Sequence, residues 1–176
     1  GFRILKIIGG RNVDEDIEKL IKIREIVSSR IGLRFDARGR YSVAEAIHFS
    51  NAVYQTGLEF IEQPVTSAIP EQIGQVTRNV PVPVMVDEGL RTIDDARFLS
   101  GKNMVDLFNL KLMRIGGIWP VLRIALIGSG SGKKSMMSSG CELALSVSPA
   151  LHLSLSLPDI LHADLSGYLN IEEDPT

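Results

Sequence analysis

The chain has 176 residues, of which 44% are hydrophobic, and carries 19 basic and 21 acidic side chains for a net charge of −2. That is enough apolar material for one globular core, and the charges are interspersed, so no basic patch argues for nucleic acid and no apolar run nears the roughly 18 residues of a membrane helix. Cys141 is the only cysteine, which excludes an internal disulfide and fits a reducing cytoplasm.

Gly1-Phe2-Arg3-Ile4 reads as the approach to a strand rather than as a secretory signal, and a Gly where a gene product has Met predicts a fragment. Seven strands are predicted: Arg3 to Ile8, Ile31 to Phe35, Leu58 to Ile61, Val82 to Val86, Val105 to Leu110, Lys134 to Ser138 and Ile160 to Ala163, with six helical stretches between them. The helix after Asp36 opens on Ser42-Val43-Ala44-Glu45, a capping box, and the one after Asp87 on Thr92, a competent N-cap. Gly128-Ser129-Gly130-Ser131-Gly132-Lys133-Lys134-Ser135 fails the phosphate-loop spacing and reads as a flexible loop. His152 to Leu157 alternates with period two, but Ser148-Pro149 supplies an N-cap and a Pro at the first helical position, which predicts a helix beginning there.

Strand alternating with helix is the pattern of a parallel sheet, and in a closed βα barrel all strand ends of one polarity meet at one face. A complete barrel has eight strands and typically around 250 residues. Seven strands therefore predict an incomplete α/β barrel whose missing piece is N-terminal.

Three strand ends are acidic at nearly equal pitch: Asp36, Glu62 and Asp87, at intervals of 62 − 36 = 26 and 87 − 62 = 25. All three offer oxygen, the donor hard cations such as Mg²⁺ prefer, and no Cys or His cluster suggests a softer metal. Taken singly, each reads first as a helix cap or a loop charge, and it is three at equal pitch that are harder to dismiss. Lys111 ends the next strand 24 residues after Asp87 and shares a face with Asn109. It is either a surface residue or a general base, and Lys6, at the end of the first strand with Ile8 on its face, is in the same position. His48 and His152 belong to helices and lack partners at metal spacing, while His162 shares parity with Asp164 and reads as a packed interior residue.

Phe60-Ile61-Glu62-Gln63-Pro64, Val86-Asp87-Glu88, Asn109-Leu110-Lys111-Leu112-Met113-Arg114-Ile115-Gly116-Gly117 and Asp164-Leu165-Ser166-Gly167 together resemble the barrel domain of the enolase superfamily, in the mandelate racemase and muconate lactonizing branch. The resemblance implies a (β/α)7β barrel with its second to eighth strands present over residues 1–176, lacking the first strand and an N-terminal capping domain. It implies Mg²⁺ held by Asp36, Glu62 and Asp87, with Glu88 a weaker neighbour, and a substrate carboxylate held by the metal while Lys111 moves the α-proton. Lys at the sixth strand, Gly140-Cys141-Glu142 at the seventh and Asp164 at the eighth look most like dipeptide epimerases of the L-Ala-D/L-Glu type. Those use a second Lys on the opposite face and an Asp-x-Asp that holds the substrate ammonium, so Lys6, Glu142, Asp164 and Ser166 are the remaining candidates. The partner implied is a small carboxylate such as a dipeptide, and the resemblance also allows homo-oligomers.

Three positions depart from that pattern. Lys-x-Lys is Lys6-Ile7-Ile8, one residue short before Gly9-Gly10, and isoleucine carries no proton. Asp-x-Asp is Asp164-Leu165-Ser166, with half the negative charge, and Asp-Ala-Asn is Asp36-Ala37-Arg38, with a cation beside a ligand. These leave three alternatives: a two-base dipeptide epimerase, a one-base cycloisomerase or o-succinylbenzoate synthase-like lyase relying on Lys111, and a barrel that keeps the fold without catalysis.

Overall fold

The computed structural model describes residues 2–174, so Gly1 lies outside the described residues. Two compact units divide the chain. The first comprises residues 1–89 with 103–106, and the second 90–102 with 107–176.

In the first unit, strand β1 (Ile4–Ile8), helix α1 (Val13–Ile26), β2 (Gly32–Asp36), α2 (Val43–Val53), β3 (Leu58–Glu62), α3 (Pro70–Thr77) and β4 (Val84–Val86) follow one another. Each of these strands pairs in parallel with the next. The register sets Lys6 against Arg34, Ile8 against Asp36, Asp36 against Glu62 and Glu62 against Met85. Because strand side chains alternate, Lys6, Ile8, Asp36, Glu62 and Asp87 share one face, and Leu33, Phe35, Ile61, Val84 and Val86 take the other. That second face packs the helices: Phe35 lies tilted against Phe49 of α2 with ring centroids 4.4 Å apart, and Tyr41 closes the cluster 5.6 Å from Phe49. Each fully buried ring contributes on the order of 1.5–3 kcal/mol, which ties α2 to β2. The capping box predicted at Ser42 and Glu45 is present, with both reciprocal hydrogen bonds made.

The second unit runs α4 (Ile93–Gly101), β5 (Leu107–Leu110), α5 (Leu112–Ile115), α6 (Ile118–Gly130), β6 (Lys134–Ser138), α7 (Ala144–Ser156) and β7 (Ile160–Asp164). β5, β6 and β7 are parallel neighbours. Thr92 caps α4 as its sequence predicts. Two expectations are corrected here. The glycines of 128–130 do not form a loop: they end α6, because Gly128 lies flat on the Phe108 ring where a Cβ would come within 3.0 Å. Helix α7 begins at Ala144, not at Ser148, and Pro149 sits inside it. Proline there removes one backbone bond, but Val147, Ala150 and Leu153 make a buried stripe that spans it, and Asp174 accepts a hydrogen bond from the Ala144 amide at 2.6 Å.

No helix among the described residues is long and apolar enough to cross a membrane.

Candidate active site

The three acidic strand ends are all buried: Asp36 is 8% exposed, Glu62 0% and Asp87 2%. Their backbones are locked to one another by bonds that step from strand to strand. The Gly9 amide donates to the Asp36 carbonyl at 3.0 Å, Ala37 to Glu62 at 3.1 Å, and Gln63 to Met85 at 2.8 Å. Gln63 then extends the lock with its side chain, whose Oε1 accepts from the Asp87 amide at 2.9 Å and the Gly89 amide at 3.1 Å while Nε2 donates to the Val65 carbonyl at 2.9 Å. This residue is 1% exposed, and its left-handed backbone, φ 37°, turns the side chain toward the next strand end. A strained conformation of this kind persists only where the surroundings enforce it.

Lys6 Nζ lies 3.5 Å from Glu62 Oε2, and the Arg38 amide donates to Asp36 Oδ1 at 2.9 Å. Carboxylates taken out of water are costly unless paired or coordinated, and this face gathers three of them at successive strand ends with one lysine between. The donor set is all oxygen, buried and backbone-fixed, and so fits a hard divalent cation. Among the described residues no three Asp, Glu, His or Cys side chains stand together as a ready ligand cluster. The fit therefore lies in donor type, burial and strand position, and the side chains would have to close on the ion.

Beneath this row is a second, polar knot that sequence reading passed over. Asp16, 3% exposed, accepts from the Gly10 amide at 2.7 Å, the Tyr41 hydroxyl at 2.9 Å and Lys19 Nζ at 2.9 Å. Burial acts to raise this carboxyl, but the Gly10 amide, then Lys19 and Tyr41, outweigh it and hold Asp16 below the usual carboxylate range. Tyr41 is pushed up, first by burial and then by its bond to Asp16. The knot clamps the turn after β1, where Gly10 has φ 95° and a Cβ would run into the Ala37 carbonyl oxygen.

The second unit holds the remaining candidates. Lys111 is half-buried at the N-cap of α5, directly after β5. Asn109, two residues before it, is 1% exposed and accepts from Ser138 Oγ at 2.6 Å. Asp164 ends β7, where its carbonyl accepts from the Ser139 amide at 3.0 Å. The loops after β6 and β7 meet at Gly140 and Gly167, so close that a Cβ on Gly167 would collide with the Gly140 carbonyl. That contact brings the segments bearing Glu142 and Ser166 together. Both oxygens of Glu142 are engaged within the chain, by the Gly140 amide at 2.9 Å and Ser146 Oγ at 2.6 Å. His162 is half-buried on the parity of Asp164, whereas His48 and His152 sit exposed on α2 and α7.

Parallel βα repeats in which each strand pairs with the next in chain order, as they do within each unit, are the pattern of the barrel class of α/β proteins. Within that class, residues 1–175 match the family model described as Enolase C-terminal domain-like, and the chain belongs to that family. It is 36% identical to an L-Ala-D/L-Glu epimerase of Clostridium acetobutylicum over 169 residues, covering 95% of this chain and 47% of that protein. It is 38% identical to an L-Lys-D/L-Arg epimerase of Desulforapulum autotrophicum over 176 residues, covering 99% and 49%. Among solved structures, the dipeptide epimerase of Enterococcus faecalis complexed with Mg and the dipeptide L-Leu-L-Tyr is similar with a TM-score of 0.96 and 34% identity, over 99% of this chain and 50% of that one. The fold is thus the incomplete α/β barrel expected from the sequence, and the chain spans about half the length of the curated relatives it matches.

Proposed function

We propose that the full-length protein is a Mg²⁺-dependent isomerase of the dipeptide epimerase type, removing the proton α to a substrate carboxylate through an enediolate. The observation that carries this is the backbone-locked row of Asp36, Glu62 and Asp87, each under 9% exposed, with Lys6 at 3.5 Å from Glu62. Asp36, Glu62 and Asp87 would hold Mg²⁺, whose chemistry is to offset the negative charge that grows on the substrate carboxylate as its α-proton leaves. Lys111 takes that proton at Nζ from one face of the α-carbon, and the ammonium of Lys6, the second lysine candidate, returns one to the opposite face, so that the centre inverts. Lys6, beside Glu62, keeps the ligand row compensated. Asp164 and Ser166 receive the substrate ammonium, and Glu142, with both oxygens committed to its own loop, holds the shape of that wall. The relatives' names, epimerases acting on dipeptides of several chemistries, support the assignment to this reaction type.

The test is deuterium incorporation at the α-carbon in D₂O by the full-length protein with Mg²⁺, using a panel of dipeptides. Exchange is expected, and its absence with every dipeptide would overturn the proposal.

One observation favours a second reading. Ile8 occupies the end of β1 opposite Asp36 and is 48% exposed, so this position offers no base and Lys111 is left to act alone. A one-base cycloisomerase or o-succinylbenzoate synthase-like lyase would then turn over muconate or cyclohexadiene carboxylates and show no epimerisation. Wild-type turnover of any of these substrates would defeat the remaining alternative, a catalytically silent barrel.

A further inference from the structure

Strand β3 carries one residue more than the strand beside it. Leu33 pairs with Leu58, an offset of 58 − 33 = 25, but Phe35 pairs with Ile61, an offset of 61 − 35 = 26. Arg34 therefore stands opposite two residues, Glu59 and Phe60. That is a β-bulge, a feature that re-aims the side chains beyond it. Both bulge residues turn their side chains to Arg34, which is 3% exposed. Its Nε donates to Glu59 Oε2 at 2.8 Å, and its guanidinium carbon lies 5.1 Å from the centroid of the Phe60 ring, a cation–π distance. Gly32, two residues earlier on the same face, leaves room for this clamp, because a Cβ there would come within 2.4 Å of Glu59 Oε1.

The extra residue decides where Glu62 points. Side chains alternate along a strand, so a slip of one residue sends every later side chain to the other face. At an offset of 25, Asp36 would stand beside Ile61, and Glu62 would share the helix-packed face of Phe35. At 26, Glu62 stands beside Asp36, both are buried, and Ile61 takes the helix side. A bulge leaves its extra residue outside the ladder of backbone bonds, so side chains have to hold it. Between the two partners of the ion pair, Arg34 is the anchored one, with a side chain 4% exposed against 36% for Glu59.

We infer that Arg34 is a positioning residue, which clamps the bulge at Glu59 and Phe60 and so holds Glu62 on the face of Asp36; this rests on the Mg²⁺ reading only for what Glu62 binds. Charge alone would act in the opposite sense. A guanidinium on the ligand face, two residues before Asp36, repels a divalent cation. As a mere charge Arg34 weakens binding of Mg²⁺, and as a clamp on Glu62 it strengthens it.

The test compares the full-length protein with its Arg34→Met and Arg34→Lys variants by Mg²⁺ calorimetry and, without metal, by amide hydrogen exchange read in peptides. Methionine fills the buried space without the charge or the fork, and an apolar replacement of this kind is often tolerated by the fold. In Arg34→Met the Mg²⁺ affinity is expected to fall about tenfold or more, the scale for residues that orient metal ligands. Arg34→Lys keeps the charge and can reach Glu59 but lacks the planar fork, and should recover part of that loss. In metal-free Arg34→Met, exchange should rise about tenfold across 35–38 and 60–64 and stay unchanged in α1, because the Ala37 amide donates to the Glu62 carbonyl and the Gln63 amide to the Met85 carbonyl. Glu59→Gln, which weakens the charge-assisted bond without emptying the space, should repeat the pattern at smaller amplitude and guards against a folding defect. An affinity that rises or stays constant in Arg34→Met overturns the inference, since Arg34 is then a charge or a filler. Exchange that is unchanged across 35–38 and 60–64, or raised equally in α1, overturns it as well. If the wild-type protein takes up no Mg²⁺, the metal reading falls and the exchange pattern alone decides whether Arg34 holds Glu62.

Discussion

Replacing Asp16 by Asn removes one charge from a buried junction and nothing from the core volume. Oδ2 of the carboxylate accepts from both the Gly10 amide and the Tyr41 hydroxyl, and Oδ1 from Lys19 Nζ, and an amide keeps only one of these oxygens. With that oxygen in the Oδ2 place the Gly10 and Tyr41 bonds survive in weaker, neutral form, and the N–H₂ group faces Lys19. Bonds to a charged acceptor are worth about 1.5–3 kcal/mol against about 1 for neutral ones, so weakening the two buried bonds costs about 2 kcal/mol together. The Lys19 pair adds little, since that side chain is 47% exposed and such pairs contribute under about 1 kcal/mol. The expected total is about 3 kcal/mol at neutral pH, or roughly 9 °C in melting temperature for a chain of this size. Tyr41→Phe should cost about half as much. The sign with pH follows from the lowered folded pKa of Asp16. Its contribution is complete above the unfolded carboxyl pKa of about 3.9 and is lost as pH falls through the folded value. Urea titrations of wild type and variant should therefore differ by a constant amount from pH 7 to about 5 and converge in stronger acid. A gap below about 1 kcal/mol at pH 7, or one that persists unchanged at the acid end, would refute the assignment of Asp16 as a charged clamp.

Gln63→Ala should leave the Asp87 and Gly89 amides without their acceptor and cost about 2–4 kcal/mol in urea denaturation; a loss within error of zero would show that the amide lock is dispensable. Glu62→Gln should reduce Mg²⁺ affinity by at least about tenfold in calorimetry, because hard-cation sites depend on ligand charge, and unchanged affinity would remove Glu62 from the ligand set. Ile8→Lys in the full-length protein places an amine on the Lys6 face and should raise the rate of α-deuterium exchange by a factor of about 10² or more, the scale of one positioned acid–base group. No gain would favour the silent barrel.

The strand ends were legible because each depends on local pattern: an apolar run stops where a charge enters, and all seven strands end within one residue of a sequence-predicted terminus, with Val84–Val86 and Leu107–Leu110 starting two residues later than predicted. Ser42 and Thr92 were equally legible, since a capping box is contained in four residues. The start of α7 was not. Its helix is held by a stripe at Val147, Ala150 and Leu153 and by Asp174, 30 residues away from Ala144, and this tertiary packing overrode the Pro149 signal. Asp16 and Gln63 escaped for the same reason. Asp16 meets Tyr41 across 25 positions and Gln63 meets Asp87 across 24, and no periodicity announces such pairs. The one available hint for Gln63 was its place directly after a strand-end acid, where a side-chain amide can bridge to the next strand.

Fold and chemistry occupy opposite faces of the same strands in the first unit, which explains how the residue at position 8 can vary. The helix-facing side, with Leu33, Phe35 and Ile61 at 0% exposure, supplies the hydrophobic stabilisation. The face bearing Lys6, Asp36, Glu62 and Asp87 works against stability, since burying carboxylates carries a desolvation cost, and its geometry is maintained instead by backbone bonds from Gly9, Ala37 and Gln63. None of those bonds uses the side chain at position 8, and Ile8 is itself 48% exposed. A lysine there would touch neither the core nor the backbone lock, so its presence or absence alters the number of bases available without altering the scaffold.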